Sequence, residues 1–476
     1  MTSKLRSLSR IGMLGLGLAA LGACNGDDPE RPCVPGVDAG CPIPSGSAVV
    51  TGNITASRTF FAETTYVLRG YVKVAGGATL TVQPGTRVVG DTLTPGSSLW
   101  ILRGARIQAE GTADRPIVFT SQRAPGNRKP GDWGGIIMIG NGVINRTGGT
   151  INTEGPPGTV AENYAGGNNN GDSSGSLRYV RIEFAGYDVT GTGQELNSLS
   201  MYAVGRGTRL EYVQSLAGLD DSFEWWGGAV DGRYLVSVQS GDDHFDWTEG
   251  YQGRNQFLIA FQNGQLDPRQ GTGTLSTDPR GFEGDGCDPQ PGSGCVVTAT
   301  ETSTPYSQPV FANFTLIGSR EITPTEGNGM VLRRGTAGTF YNGVVARWKG
   351  TGLNVRDAFT NVQRTQGRLD VRSVVFAENG ANYDAETSTS FGKQSLFGAN
   401  GMREAASTGP LFLSVAAGAP DFTPAAGSLL ATGGTAVPAD RVAGYAYGTF
   451  ATTSYVGAVD PAGTRWFQGW TSFATN

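Results

Sequence analysis

The segment Asp220-Asp-Ser-Phe-Glu-Trp225 returns as Asp242-Asp-His-Phe-Asp-Trp247, 22 residues later, with Asp, Asp, Phe, an acid and Trp all in register. Upstream, Val213-Gln-Ser215 returns as Val238-Gln-Ser240, with a looser third copy at Phe261-Gln-Asn263. Gly232-Arg233 likewise returns as Gly253-Arg254, one residue off the main offset. A repeat of roughly 20 to 25 residues has room for two or three short strands, the content of one coil of a solenoid in which like side chains stack on like. The period therefore predicts a right-handed parallel β-helix. A β-propeller, ranked second, needs blades of about 40 residues.

The rest of the chain agrees with an all-β solenoid. From Val49 onward short β-branched runs alternate with Gly, Asn, Asp and Pro: Tyr71-Val-Lys-Val74, Leu80-Thr-Val82, Arg87-Val-Val89, Ile117-Val-Phe-Thr120 and Ile136-Ile-Met-Ile139. Helical spacing is nowhere sustained. Glycine, 74 of 476 residues, is far above its usual share of about 7%, yet there is no Gly-X-Y period. Apolar residues at 38% suffice for a core, and charged residues at 16% are sparse. This is the composition of a turn-rich protein that works outside the cytoplasm.

The N-terminus supports export. Lys4, Arg6 and Arg10 precede an apolar run from Ile11 to Leu21, and the small residues Gly22 and Ala23 stand before Cys24. The run is shorter than the roughly 20 residues that span a bilayer. Leu21-Gly-Ala-Cys24 resembles the lipobox of bacterial lipoproteins, which implies cleavage before Cys24 and a diacylglyceryl group on that cysteine. Asn25 stands where the inner-membrane retention signal has Asp, so the expected location is the outer membrane or cell surface. The expected organisation is a signal peptide over 1–23, a lipidated Pro/Gly-rich tether over 24–47 and a β-helix with a C-terminal cap over 48–476. Losing the three positive charges of the signal takes the formal net charge from −5 to −8. That argues against a nucleic-acid partner, which needs a basic face.

The remaining cysteines fall into two local pairs, Cys33 with Cys41 and Cys287 with Cys295, each enclosing seven residues. In an exported protein this spacing reads as two disulfides. Zinc would want C-x-x-C spacing and histidine, and the chain has His244 alone.

Several segments are similar to those of bacterial secreted and lipid-anchored right-handed parallel β-helix proteins, largely of unassigned function. They include Thr79-Leu-Thr-Val-Gln-Pro-Gly-Thr86, Arg115-Pro-Ile-Val-Phe-Thr-Ser121, Gly131-Asp-Trp-Gly-Gly135, the two acidic repeats, Gly329-Met-Val-Leu-Arg-Arg-Gly-Thr-Ala-Gly338 and Tyr455-Val-Gly-Ala-Val-Asp460. The resemblance covers nearly the whole chain beyond the tether. It implies fold and export and brings no catalytic residues with it. Other motifs carry less: Gly171-Asp-Ser-Ser-Gly175 echoes a serine-protease nucleophile segment, but His244 follows it and no strand-helix elbow surrounds it.

Chemistry concentrates in the acidic repeat. Stacked in register, Asp220 lies over Asp242, Asp221 over Asp243 and Glu224 over Asp246, at about the 4.8 Å strand spacing. Each like-charged pair then repels by roughly 3 kcal/mol at an effective dielectric of about 20. Proton sharing, the repeated Arg233 and Arg254, splaying into solvent or a bound hard cation would each relieve this. An arginine-paired or solvated turn ladder is the plainer reading, and a calcium site built from those six carboxylates is the sharper one. His244 lies inside the cluster, where a neighbouring carboxylate favours its charged form. Trp226 and Tyr251, with Arg233 and Arg254, form a candidate glycan-binding set, whereas Trp225 and Trp247 read as a stacked interior pair. Three functions follow, in order: a surface-anchored scaffold, adhesin or glycan-binding lipoprotein; a calcium-dependent lyase or glycoside hydrolase acting on polysaccharide; a structural component that meets other envelope proteins. No catalytic residue is assigned.

Overall fold

A computed structural model describes residues 46–147, 151–154, 161–164, 167–287, 294–297, 303–320, 327–385 and 400–474. The signal peptide, Cys24, the tether up to residue 45 and the Cys33 and Cys41 pair lie outside the described residues. Strands stack coil upon coil as three parallel ladders, so the parallel β-helix is the observed fold. The first ladder places residues 71–74 beneath Ser98–Ile101, then Ile136–Ile139, Leu199–Tyr202, Phe223–Trp226, Phe245–Thr248, Arg280–Asp285, Asn328–Arg333 and Thr351–Val355. The second and third ladders share long strands: Gly175–Glu183, Arg209–Leu216, Gly232–Val238, Arg254–Phe261 and Val310–Ile317 run through both. A disulfide joins Cys287 to Cys295, with their Cα atoms 5.7 Å apart.

Each long strand turns from the second ladder to the third at one left-handed residue: Tyr179 (φ 48°), Tyr212 (φ 54°), Tyr234 (φ 58°), Phe257 (φ 65°) and Asn313 (φ 54°). A bulky residue there costs about 1–3 kcal/mol. Stacking offsets the cost, because the rings lie 4.4, 4.5 and 5.0 Å apart from Tyr179 through Tyr212 and Tyr234 to Phe257.

The repeat is legible in the interior. Phe223 lies over Phe245 and Trp225 over Trp247, all four buried. One further coil along, Phe282 continues the column, but Gly284 stands over Trp247, where a Cβ would come within 2.2 Å of the indole Cζ2. The indole fills that layer by itself. Two weaker repeats do not stack as their offsets suggest. Val213-Gln-Ser215 lies over Leu235-Val-Ser237 rather than Val238-Gln-Ser240, and Gly232 lies over Asn255 rather than Gly253. The coil length varies, so copies at 21 or 25 residues fall out of register.

Candidate functional site

Two columns on the first ladder build the site. At the corner entering the ladder stand Asn197, Asp221, Asp243, Arg280 and Asn328, one per coil. Here a side-chain oxygen accepts the backbone N–H of the next coil: Asn197 Oδ1 from Asp221 (3.0 Å), Asp221 Oδ1 from Asp243 (2.8 Å) and Asp243 Oδ1 from Arg280 (2.6 Å). Asp221 and Asp243 thus spend one oxygen each on holding coils together. Three residues further on, the outward column reads Ser200, Glu224, Asp246 and Glu283.

The six carboxylates expected to cluster do so. Oxygen atoms of Asp220, Asp221 and Asp242, of Asp221, Glu224 and Asp246, and of Asp243, Asp246 and Glu283 lie within 4.8 Å of one another in each group. The groups overlap, forming a chain of negative potential across three coils. Burial, with neighbouring carboxylates adding to it, pushes the carboxyl groups of Asp220, Asp221, Glu224, Asp246 and Glu283 well above the ordinary range. Burial also raises Asp242 to about 7.

Relief by arginine reaches one end only. Arg280 meets Glu283 at 2.7 Å, Asp278 at 2.8 Å and Asp243 at 3.2 Å, while Arg333 meets Glu283 at 2.7 Å and Asp285 at 2.8 Å. Among the described residues no arginine or lysine pairs with Asp220, Asp221, Glu224, Asp242 or Asp246. Asn197 Nδ2 donates to Glu224 Oε2 at 2.5 Å, but the buried Asp242 Oδ1 and Asp246 Oδ1 have no hydrogen-bond partner. Oxygen-only donors with unsatisfied buried oxygens fit a hard divalent cation.

The outward column is the floor of a cleft of about 460 Å³. The excursion between residues 141 and 174 supplies the far wall through Glu154 and Tyr164, whose hydroxyl donates to Glu249 Oε2 at 2.6 Å. Glu154 is raised to about 8 by burial. Trp226 stacks on Tyr202 at 4.0 Å and lines the same cleft.

Three other expectations meet different surroundings. Arg233 and Arg254 stand on the second ladder, not beside the acids: Arg233 Nε donates to Glu211 at 2.6 Å, and Arg254 grips buried Asp231 at 2.7 and 2.9 Å. Tyr251 is buried inside the coil, stacked on Trp225 at 5.1 Å, with its hydroxyl donating to Val230 O. His244 also points inward, its Nδ1 2.6 Å from Ser237 Oγ, and burial lowers it to about 3. It is neutral, because desolvation outweighs the hydrogen bond with Gln262 that favours its charged form.

Sequence reasoning missed Glu283, Glu154 and the pairing arginines. A signal for Glu283 existed: Phe282-Glu283 continues Phe223-Glu224 and Phe245-Asp246. It was masked because the loop before it lengthens the coil to 37 residues and Arg280 and Gly284 replace Asp and Trp. Glu154 comes from an excursion outside the repeat and carried none.

A family model described as a pectate-lyase like beta helix domain matches residues 52–415. No curated protein and no solved structure matches the chain.

Proposed function

Because the chain belongs to the family of pectate-lyase-like β-helix domains, the match taking in residues 52–415, we propose that it is a surface lipoprotein that binds polysaccharide in the acid-lined cleft through calcium. The overlapping carboxylate groups at the floor of that cleft carry the proposal. Calcium on Glu224, Asp246 and the Asp220 to Asp243 turn oxygens would offset their repulsion and leave open positions for the hydroxyl or carboxylate oxygens of a sugar. Trp226 offers an apolar ring beside them.

The test is calorimetric titration of the mature protein with a uronate-containing polysaccharide. In calcium, binding of the parent is saturable. The double variant Glu224→Gln and Asp246→Asn lowers the affinity by about tenfold or more and removes its calcium dependence. Equal affinity in parent and variant rejects the cleft as the binding site.

A second reading, polysaccharide cleavage, is favoured by Glu154. A carboxyl raised to about 8 is protonated at neutral pH and able to act as a general acid beside ionisable Glu224 and Asp246. Release of reducing ends points to hydrolysis, and of unsaturated uronates to a lyase.

The membrane anchor rests on the Leu21 to Cys24 motif. Cys24→Ser is expected to leave the membrane fraction and appear as unacylated soluble protein. Unchanged membrane partitioning would remove the lipoprotein half of the proposal.

A further inference from the structure

Away from the acidic cleft, the second ladder gathers positive charge in a chain whose formal net charge is −5. Among the described residues, Arg178, Arg206, Arg209, Arg233 and Arg254 pair with no carboxylates but Glu110, Glu211 and Asp231. Buried Glu211 takes Arg178 at 3.1 Å, Arg209 Nε at 3.0 Å and Arg233 Nε at 2.6 Å. Asp231 takes Arg254, and half-buried Glu110 reaches Arg209 at 3.6 Å. Nearby Asp172 turns its Oδ2 to the backbone N–H of Asn141 at 3.0 Å.

Arg206 is left over. Its nearest carboxylate oxygen, Asp231 Oδ2, is 4.0 Å away, and its Nε is buried without a hydrogen-bond partner. Burial and the neighbouring Arg254 lower its pKa, and Asp231, which also serves Arg254, offsets them only in part. Arg206, Arg209 and Arg233 line a pocket of about 620 Å³ with Thr208, Gly207 and Tyr447. The walls are fixed. Tyr447 Oη accepts from Leu210 N at 2.6 Å and donates to Leu210 O, and its ring lies 4.6 Å below the Arg233 guanidinium. Thr208 Oγ1 accepts from Ser174 N at 2.9 Å and keeps its own proton to donate.

We propose that this pocket is an oxyanion-binding site, taking the carboxylate or sulfate group of a charged saccharide or the free inorganic ion. A planar or tetrahedral oxyanion would accept from the Arg206 guanidinium and the Thr208 hydroxyl and complete the neutralisation that three carboxylates leave undone. The site shares no residue with the acidic cleft, and the cation-dependent reading of that cleft can fail while this one stands.

The test is calorimetric titration of the mature protein in divalent-free buffer at low ionic strength, where calcium-dependent binding is silent. The probes are sodium sulfate, a short uronate oligosaccharide and its carboxyl-reduced, neutral counterpart. Saturable binding of either anion is expected, weakened about tenfold or more in Arg206→Gln, less in Arg206→Lys, and unchanged in Glu224→Gln. Uronate bound in preference to its neutral counterpart identifies a saccharide-borne group, and sulfate alone identifies a free ion. Arg206 reaches only Asp231, at 4.0 Å, and Arg254 still grips that carboxylate in the variant, so folding is retained and is checked by circular dichroism. No saturable binding of either anion, or equal affinity in Arg206→Gln, overturns the proposal.

Discussion

Stripped of divalent cations, the protein melts about 5 °C or more higher at pH 5 than at pH 8, and millimolar calcium closes most of that gap. The sign follows from the carboxyl groups of the cleft. Burial raises Glu154 to about 8 and Asp242 to about 7 and lifts Asp220, Asp221, Glu224 and Asp246 well above the ordinary range. In the unfolded chain the same groups titrate near about 4. Between these limits the folded state holds more protons, so the stability they contribute is complete below about pH 4 and is lost as pH rises through 7 to 8. Calcium replaces the missing protons as the source of positive charge and binds only the folded arrangement. Scanning calorimetry at both pH values, with and without calcium, checks this. Equal melting temperatures at pH 5 and pH 8 would show that the carboxyl groups are not raised, and a gap that calcium leaves open would strike the cation from the site.

Why the coil period was readable, and parts of the site were not, comes down to which residues stacking constrains. Phe223 and Phe245, and Trp225 and Trp247, sit one coil apart in the interior. Each must match the shape of the ring beneath it, and that requirement writes near-identity at the coil spacing. Glu224 and Asp246 inherit the same register because they occupy alternate positions of the same strands, and Asp220, Asp221, Asp242 and Asp243 because they stand in the turns leading into them. Arg233 and Arg254 repeat at nearly the same interval yet belong to another ladder, since one coil carries three strands and proximity in sequence does not place two residues on one face. Glu283 escaped notice because a solenoid tolerates loops between strands. The stretch from 263 to 279 lengthens the chain without disturbing the pairing of Asp246 with Glu283. Tyr251 and His244 look like surface groups by type, but both lie in the turns that flank the strand Phe245–Thr248, outside its alternation, and both turn inward.

Arg280→Met destabilises the protein by about 3–5 kcal/mol at pH 8, the range for removing one partner from a buried ion pair. Arg280 occupies the corner position that Asp221 and Asp243 fill in the coils before it, and its backbone N–H still donates to Asp243 Oδ1 at 2.6 Å. Methionine keeps that bond and most of the packing, so the change isolates the charge. Glu283 retains Arg333 at 2.7 Å, whereas Asp243 has no second arginine among the described residues and is left buried without a counter-charge. The loss should therefore shrink at pH 5, where Asp243, which burial and Asp242 push upward, takes a proton. It should shrink again with calcium at pH 8, because the variant loses the cation that competes for Asp243 and Glu283 and binds calcium more tightly than the parent. Thermal denaturation of parent, Arg280→Met and Arg280→Lys under the three conditions separates these effects. If Arg280→Met loses as much stability at pH 5 as at pH 8, with calcium or without, the guanidinium acts through packing alone, and the acid stack does not depend on a cation at that end.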